Sequence, residues 1–218
     1  KKNNFVAELG IELINKKTDL ILQKPNSSIL LDERLKIKDT SSNDFIINDI
    51  NLIFDKEKKV DALICNFDLQ ILLVNNAKNF YKNIYEILNK NGFFCFNLLT
   101  LNSFTTLQKI FLEIDINIFN GAQIRFGPFH NISNIISGLN DNKFKEVVVS
   151  TENIEVNYKS LNKIRKDFRE LGISNYYKEK SRSNKNFYKK TTSLFKELVA
   201  KHDYIPVEIE ISTFTSWK

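Results

Sequence analysis

The residues able to do chemistry in this sequence fall into a few small groups. Asp32 and Glu33 are adjacent carboxylates that follow the apolar burst ending in Leu31, and Asp49 is a carboxylate after a second burst. Asn66, Phe67 and Gln70 follow a third, VDALIC, and Asn97 lies in FFCFNLL. Carboxylates at strand ends can accept protons from ligand hydroxyls or amines. They can equally be wet strand ends paired with Arg34 or a nearby lysine. His130 is the candidate general base, set against a surface histidine at a helix start. His130 and His202 are too few and too far apart to form a metal set with cysteine or carboxylate, so no metal is expected. Cys65 and Cys95 sit inside apolar runs without metal spacing and read as packed thiols in a reducing compartment, with no disulfide framework. No catalytic residue is assigned.

The elements that must position these groups alternate along the chain. Residues 5–23 carry Val6, Leu9, Leu13, Leu20 and Ile21 near a 3.6-residue period, a helix stopped by Pro25. Short apolar bursts follow, one at 27–33, two within 45–55 and one at 60–67. A helix is expected over 76–90, closed by Asn91 and Gly92, then strand FFCFNLL. Helices are expected at 103–116 and 131–141, a long alternating strand at 143–158, helices at 160–171 and 187–202, and a final strand in PVEIEISTFTSW. The pattern predicts an α/β open sheet, mostly parallel with an antiparallel edge strand, and a helical insertion before the last strand. In such sheets ligands sit beyond the carboxyl ends of the parallel strands, where Asp32, Glu33, Asp49, Asn66, Phe67 and Asn97 lie.

Composition sets the outer bounds. The chain has 218 residues, 42% hydrophobic and 27% charged, with 6 Gly and 3 Pro, which excludes collagenous and charge-dominated disordered classes. The length predicts one domain, or one domain with an insertion. Eighteen Phe supply a sizeable core. Asn, Ile and Lys make up more than a third of the residues, the mark of an A/T-rich genome, so much of the Lys is compositional. No apolar run reaches the roughly 18 residues of a membrane helix, and the opening KKNNF lacks a secretory pattern, so a cytoplasmic protein is expected.

VDALICNFDLQ followed by EILNKNGFFCFNLL resembles the fourth and fifth strands of class I S-adenosylmethionine-dependent methyltransferases. RFGPF at 125–129, the strand ENIEVNY, FRELGISN at 168–175 and the closing VEIEISTFTSW are similar, in order, to a narrower group. That group comprises BioC-like malonyl-carrier-protein O-methyltransferases of biotin synthesis and related complex I assembly factors. The resemblance implies a Rossmann-like methyltransferase sheet with an N-terminal helix at 5–24 and a basic helical insertion at 158–203. It also implies S-adenosylmethionine as cofactor, held near Asp32, Glu33, Asp49, Asn66 and Phe67. Gln70, Arg125, His130, Tyr158, Asn175 and Arg182 become candidates for contact with a substrate or partner. Arginine hydroxylation is implied for some relatives.

The chain departs from this pattern where the cofactor would sit. DERLKIK, residues 32–38, stands where the family has an acidic residue and a G-x-G turn, and Arg34 or Leu35 would place a side chain where backbone must approach the ligand. Gly10 is the other candidate glycine, but it lies in a helical pattern. Between the first two strands there is room for little more than a rudimentary crossover helix. The sequence therefore reads as a methyltransferase fold with a degenerate cofactor motif. It could still transfer methyl groups to a carboxylate on a carrier protein, or act as a catalytically inactive binding or assembly protein.

Charge is unevenly placed. Residues 158–203 hold 13 Lys and Arg against 5 Asp and Glu, net +8, while the remainder is net −2. A basic insertion steers an acidic partner, such as an acyl carrier protein or an assembly client. It is also what a Lys-rich genome writes on exposed helices. No recognised nucleic-acid motif accompanies it, and nucleic acid is not the expected partner.

Overall fold

The computed structural model describes residues 4–31, 44–47, 59–173 and 182–218, without the side chains of 44–47 and 75–78. Asp32, Glu33, Asp49 and Asn175 lie outside the described residues, as do Arg34 and Leu35.

Helix α1, Phe5–Asp19, begins where the Asn4 side chain accepts a hydrogen bond from the Val6 N–H at 3.0 Å. It buries Val6, Ala7, Gly10, Leu13 and Ile14. The expected continuation to residue 23 fails, because the Lys24 ammonium caps the carbonyls of Thr18 and Asp19 and leaves Leu20 and Leu22 exposed. Strands β1, Ser28–Leu31, β2, Asp44–Ile47, and β3, Val60–Asn66, are parallel, with Leu31 opposite Ile47 on one side and Cys65 on the other.

Helix α2, Leu69–Ile87, starts seven residues earlier than its periodicity suggested and ends earlier too. Its last carbonyls are taken by lysines: the Lys218 ammonium donates to Tyr85 and Leu88, each at 2.7 Å, and Lys59 donates to Glu86. Asn91 and Gly92 are thus no helix stop. They lie inside β4, Leu88–Leu99, where a Cβ on Gly92 would stand 2.9 Å from the Asp61 carbonyl.

The remaining elements are α3, Thr105–Phe119; α4, Ile132–Asp141; β5, Lys145–Tyr158; α5, Leu161–Glu170; α6, Lys185–His202; and β6, Ile205–Trp217. One six-stranded sheet has the order β2-β1-β3-β4-β6-β5, with β3 and β4 parallel and β4 and β6 antiparallel. The sheet is mixed and open, and the strand order reverses between β1 and β3.

The chain divides into two compact units. The first holds residues up to Thr100 with 130–152 and 211–218. Its core is built on the in-register rings of Phe96 and Phe214, stacked at 5.0 Å, with Phe94, Leu63, Leu69, Ile84 and Leu98 fully buried around them. The second holds residues 101–129 and 153–210, so the expected insertion is joined there by α3 and the RFGPF segment. Its core is aromatic, with Phe104 and Phe168 at 4.4 Å, Phe111 and Phe126 at 5.5 Å, and Phe187 and Phe195 closing on Phe111. No described helix is long and apolar enough to cross a membrane.

Candidate functional site

In the first unit the site is built at the carboxyl ends of β3 and β4. Asn66 ends β3, Asn97 faces it across the strand pair, and Thr213 of β6 faces Asn97 on the other side. Side chains of paired residues share a face of the sheet, so the three form one polar row. The row is fully bonded. Asn97 Nδ2 donates to Asn66 Oδ1 at 3.2 Å and to the Gly10 carbonyl at 2.6 Å, Asn66 Nδ2 donates to the Ala7 carbonyl at 3.0 Å, and the Thr213 hydroxyl donates to Asn97 Oδ1 at 2.7 Å. Gly10 is what allows this closeness. A Cβ there would collide with Asn66 Oδ1 and stand 2.5 Å from the Phe67 ring. The glycine that sequence offered as a possible cofactor turn therefore serves the approach of α1 to the sheet.

Phe67 follows in the left-handed region, φ 63°, which a bulky side chain adopts only when its surroundings enforce it. Asn66 is 0% and Phe67 3% exposed, so neither side chain presents surface to a ligand.

Next to this row, Gln70 acts as a backbone mimic. Its Nε2 donates to the Leu99 carbonyl at 2.9 Å and its Oε1 accepts from the Leu99 N–H at 2.7 Å, which terminates β4 as a paired strand would. The Gln70 carbonyl in turn accepts from His130 Nε2 at 2.8 Å. A carbonyl only accepts, so the neutral ring carries its proton on Nε2 and keeps its lone pair on Nδ1. Burial lowers the His130 pKa from its ordinary 6.5, opposed by the Gln70 bond, and favours that neutral form. The His130 N–H bonds the Leu99 carbonyl at 3.3 Å, and the Thr100 hydroxyl continues the polar chain to Ser212 and Thr151.

The second unit holds the other described candidates, and the structure gives each a packing partner. Arg125 forms a bidentate pair with Asp115, whose side chain is 0% exposed, and its guanidinium lies 3.9 Å above the Phe187 ring. The Tyr158 hydroxyl donates to Asp167 at 2.9 Å, and burial pushes its pKa up. Lys163 completes that group on the other oxygen of Asp167. Arg182 is exposed, and its backbone N–H donates to Gln123 Oε1. Sequence reasoning missed Asp115, Asp167 and Thr213; for Thr213 the available signal was Asn66 and Asn97, each set in an apolar stretch of its strand.

The described residues do not fit S-adenosylmethionine. Its ribose and amine need acceptors and its nucleoside needs open main chain, whereas Asn66, Phe67 and Gln70 are buried and engaged by α1 and β4. The segment after β1 lies outside the described residues, and its sequence from Asp32 to Lys38 contains no glycine. Among the described residues, no three His, Cys, Asp or Glu are grouped as a metal site. Cys65 and Cys95 are buried thiols outside any disulfide, and burial raises the Cys95 thiol to about 11.

No protein-family model matches the chain. It is 24% identical over 176 residues to "Arginine-hydroxylase NDUFAF5, mitochondrial" of Dictyostelium discoideum, a match covering 77% of this chain and 40% of that protein. It is 27% identical over 154 residues to "Putative methyltransferase RP459" of Rickettsia prowazekii, covering 71% of this chain and 66% of that protein. The match thus spans less than two thirds of either relative's own length. Among solved structures, a SAM-dependent methyltransferase from Archaeoglobus fulgidus superposes with a TM-score of 0.51 at 11% identity, covering 97% of this chain and 94% of that one. The chain has the fold of class I S-adenosylmethionine-dependent methyltransferases, and its sequence relatives bear hydroxylase and methyltransferase names.

Proposed function

We propose that this protein keeps the methyltransferase sheet as a scaffold, has given up the cofactor, and works as a binding or assembly protein for an acidic partner. One observation carries the reading: at the end of β3 the side chains that would line a nucleoside pocket are sealed beneath α1, Asn66 at 0% and Phe67 at 3% exposure. The loss of glycine after β1 supports it, because close approach of backbone to a cofactor needs residues without Cβ. The net charge of residues 158–203 supports the acidic partner, and the two buried thiols accord with a reducing compartment such as the cytoplasm.

A second reading retains methyl transfer, for instance to a carboxylate on a carrier protein. It is favoured by the ordered His130, Gln70 and Leu99 group at the carboxyl end of β4 and by the name of the Rickettsia relative. Calorimetry with S-adenosylmethionine and S-adenosylhomocysteine separates the two. The scaffold reading expects no heat and no thermal shift at about 1 mM ligand, whereas a Kd near ~10 μM would establish the second.

A further inference from the structure

The second unit displays a lysine stripe with no acidic counterpart on its own helix face. Helix α6 turns Phe187, Thr191 and Phe195 inward, all 4% exposed or less. At about 100° per residue, Lys185, Lys189 and Lys196 fall within roughly 40° of one another on the outward side, and the stripe runs for ~16 Å. All three are exposed, as are Lys190 and Lys201. The described acid on α6 is Glu197, which accepts from the Ser193 hydroxyl at 3.2 Å. Tyr188, 49% exposed, borders the stripe with the Arg165 guanidinium of α5 5.5 Å from its ring. On α5, by contrast, Lys163 and Lys166 are paired within their own helix, with Asp167 and Glu170.

We propose that the Lys185–Lys189–Lys196 face of α6 docks a helix of an acidic protein that carries carboxylates along one side. This deepens the scaffold reading by naming the surface and the partner's chemistry. Charge complementarity is the argument for the occupant. Carboxylates spaced four and seven residues apart on a second helix match the lysine spacing, and each pair forms at a rim where water is only partly excluded. The choice of protein over nucleic acid follows from residue type. Phosphate is best held by the guanidinium fork, whereas the stripe itself contains no arginine and the neighbouring Arg165 faces the Tyr188 ring.

The test uses the full chain and two capped Ala-rich helical peptides of identical composition. One carries Glu at i, i+4 and i+11; the other has the same Glu residues dispersed around the helix. Fluorescence anisotropy at low salt is expected to show tighter binding of the aligned peptide. The triple variant Lys185→Glu, Lys189→Glu, Lys196→Glu should lose about tenfold in affinity. The equally charged control Lys16→Glu, Lys82→Glu, Lys145→Glu, all exposed residues of the first unit, should lose less than about twofold. Unchanged thermal midpoints show that both variants fold. Equal binding of the two peptides, no binding of either, equal loss in the control, or tighter binding of a dT oligonucleotide would each overturn the proposal. None of these outcomes depends on S-adenosylmethionine, so a bound cofactor would refute the scaffold reading separately.

Discussion

Asn97 Nδ2 donates to the Gly10 carbonyl at 2.6 Å, across 87 residues of sequence, and fixes the height of α1 above the sheet. With Asn66 and Thr213 it makes a buried polar row whose groups are bonded to one another and to helix backbone. Such rows set register more than they add net stability, because each bond formed replaces one to water. The same bonds hold α1 over the end of β3, against Asn66 and the Phe67 ring.

Gly10→Ala tests that closeness. Helix propensity alone gains about 1 kcal/mol from this change. The added methyl nevertheless collides with Asn66 Oδ1 and the Phe67 ring, and overpacking of this kind costs about 1–3 kcal/mol. A net loss of up to about 2 kcal/mol is expected, lowering the thermal midpoint by up to roughly 8 °C. A midpoint that rises would show that α1 does not sit this close.

His130 gives the protein a pH dependence between the ordinary histidine range and mild acid. Burial lowers its folded pKa below the unfolded value of 6.5, so the unfolded chain binds more protons in that window. Stability from this residue is full above 6.5 and is lost as pH falls through the folded pKa. Urea unfolding at pH 7.5 and 5.5 should show a loss in wild type that shrinks in His130→Gln. An unaltered pH dependence in that variant would contradict the buried neutral ring.

Arg125→Ala should be among the most damaging changes in the second unit. It strands the fully buried Asp115 carboxylate and removes the guanidinium from the Phe187 face, a loss of about 3–5 kcal/mol. Arg125→Lys keeps the charge without the fork or the stacking and should fall between. Chemical denaturation of the variants measures both, and a loss below ~1 kcal/mol for Arg125→Ala would place the pair outside the core.

Element order was legible in the sequence wherever periodicity was long and unbroken. Helices at 131–141 and 160–171 and strands at 143–158 and in PVEIEISTFTSW all appear within two residues of their expected bounds. The start of α2 was not legible. Ile71 to Val74 is a short apolar run that fits strand and helix alike, and Asp68 at the helix cap makes no side-chain cap bond to mark a start. Nor could the sequence show that Lys218 ends that helix, since the contact joins residues 130 or more apart. The site followed the same division. The strand ends were found from fold class alone, whereas the engagement of Asn66 and Gln70 depends on register between β3, β4 and β6, which no local pattern encodes.

The proposed scaffold role requires that α1 and the end of β3 leave no seat for a nucleoside. Crystals of the protein soaked with S-adenosylhomocysteine at about 1 mM address it most directly. The expected result is unchanged density around Asn66, Phe67 and Gly10 with no ligand at the carboxyl ends of β1 and β3. A nucleoside ordered beside Leu31 and Asn66, with α1 displaced or the Asn66–Ala7 bond broken, would contradict the account.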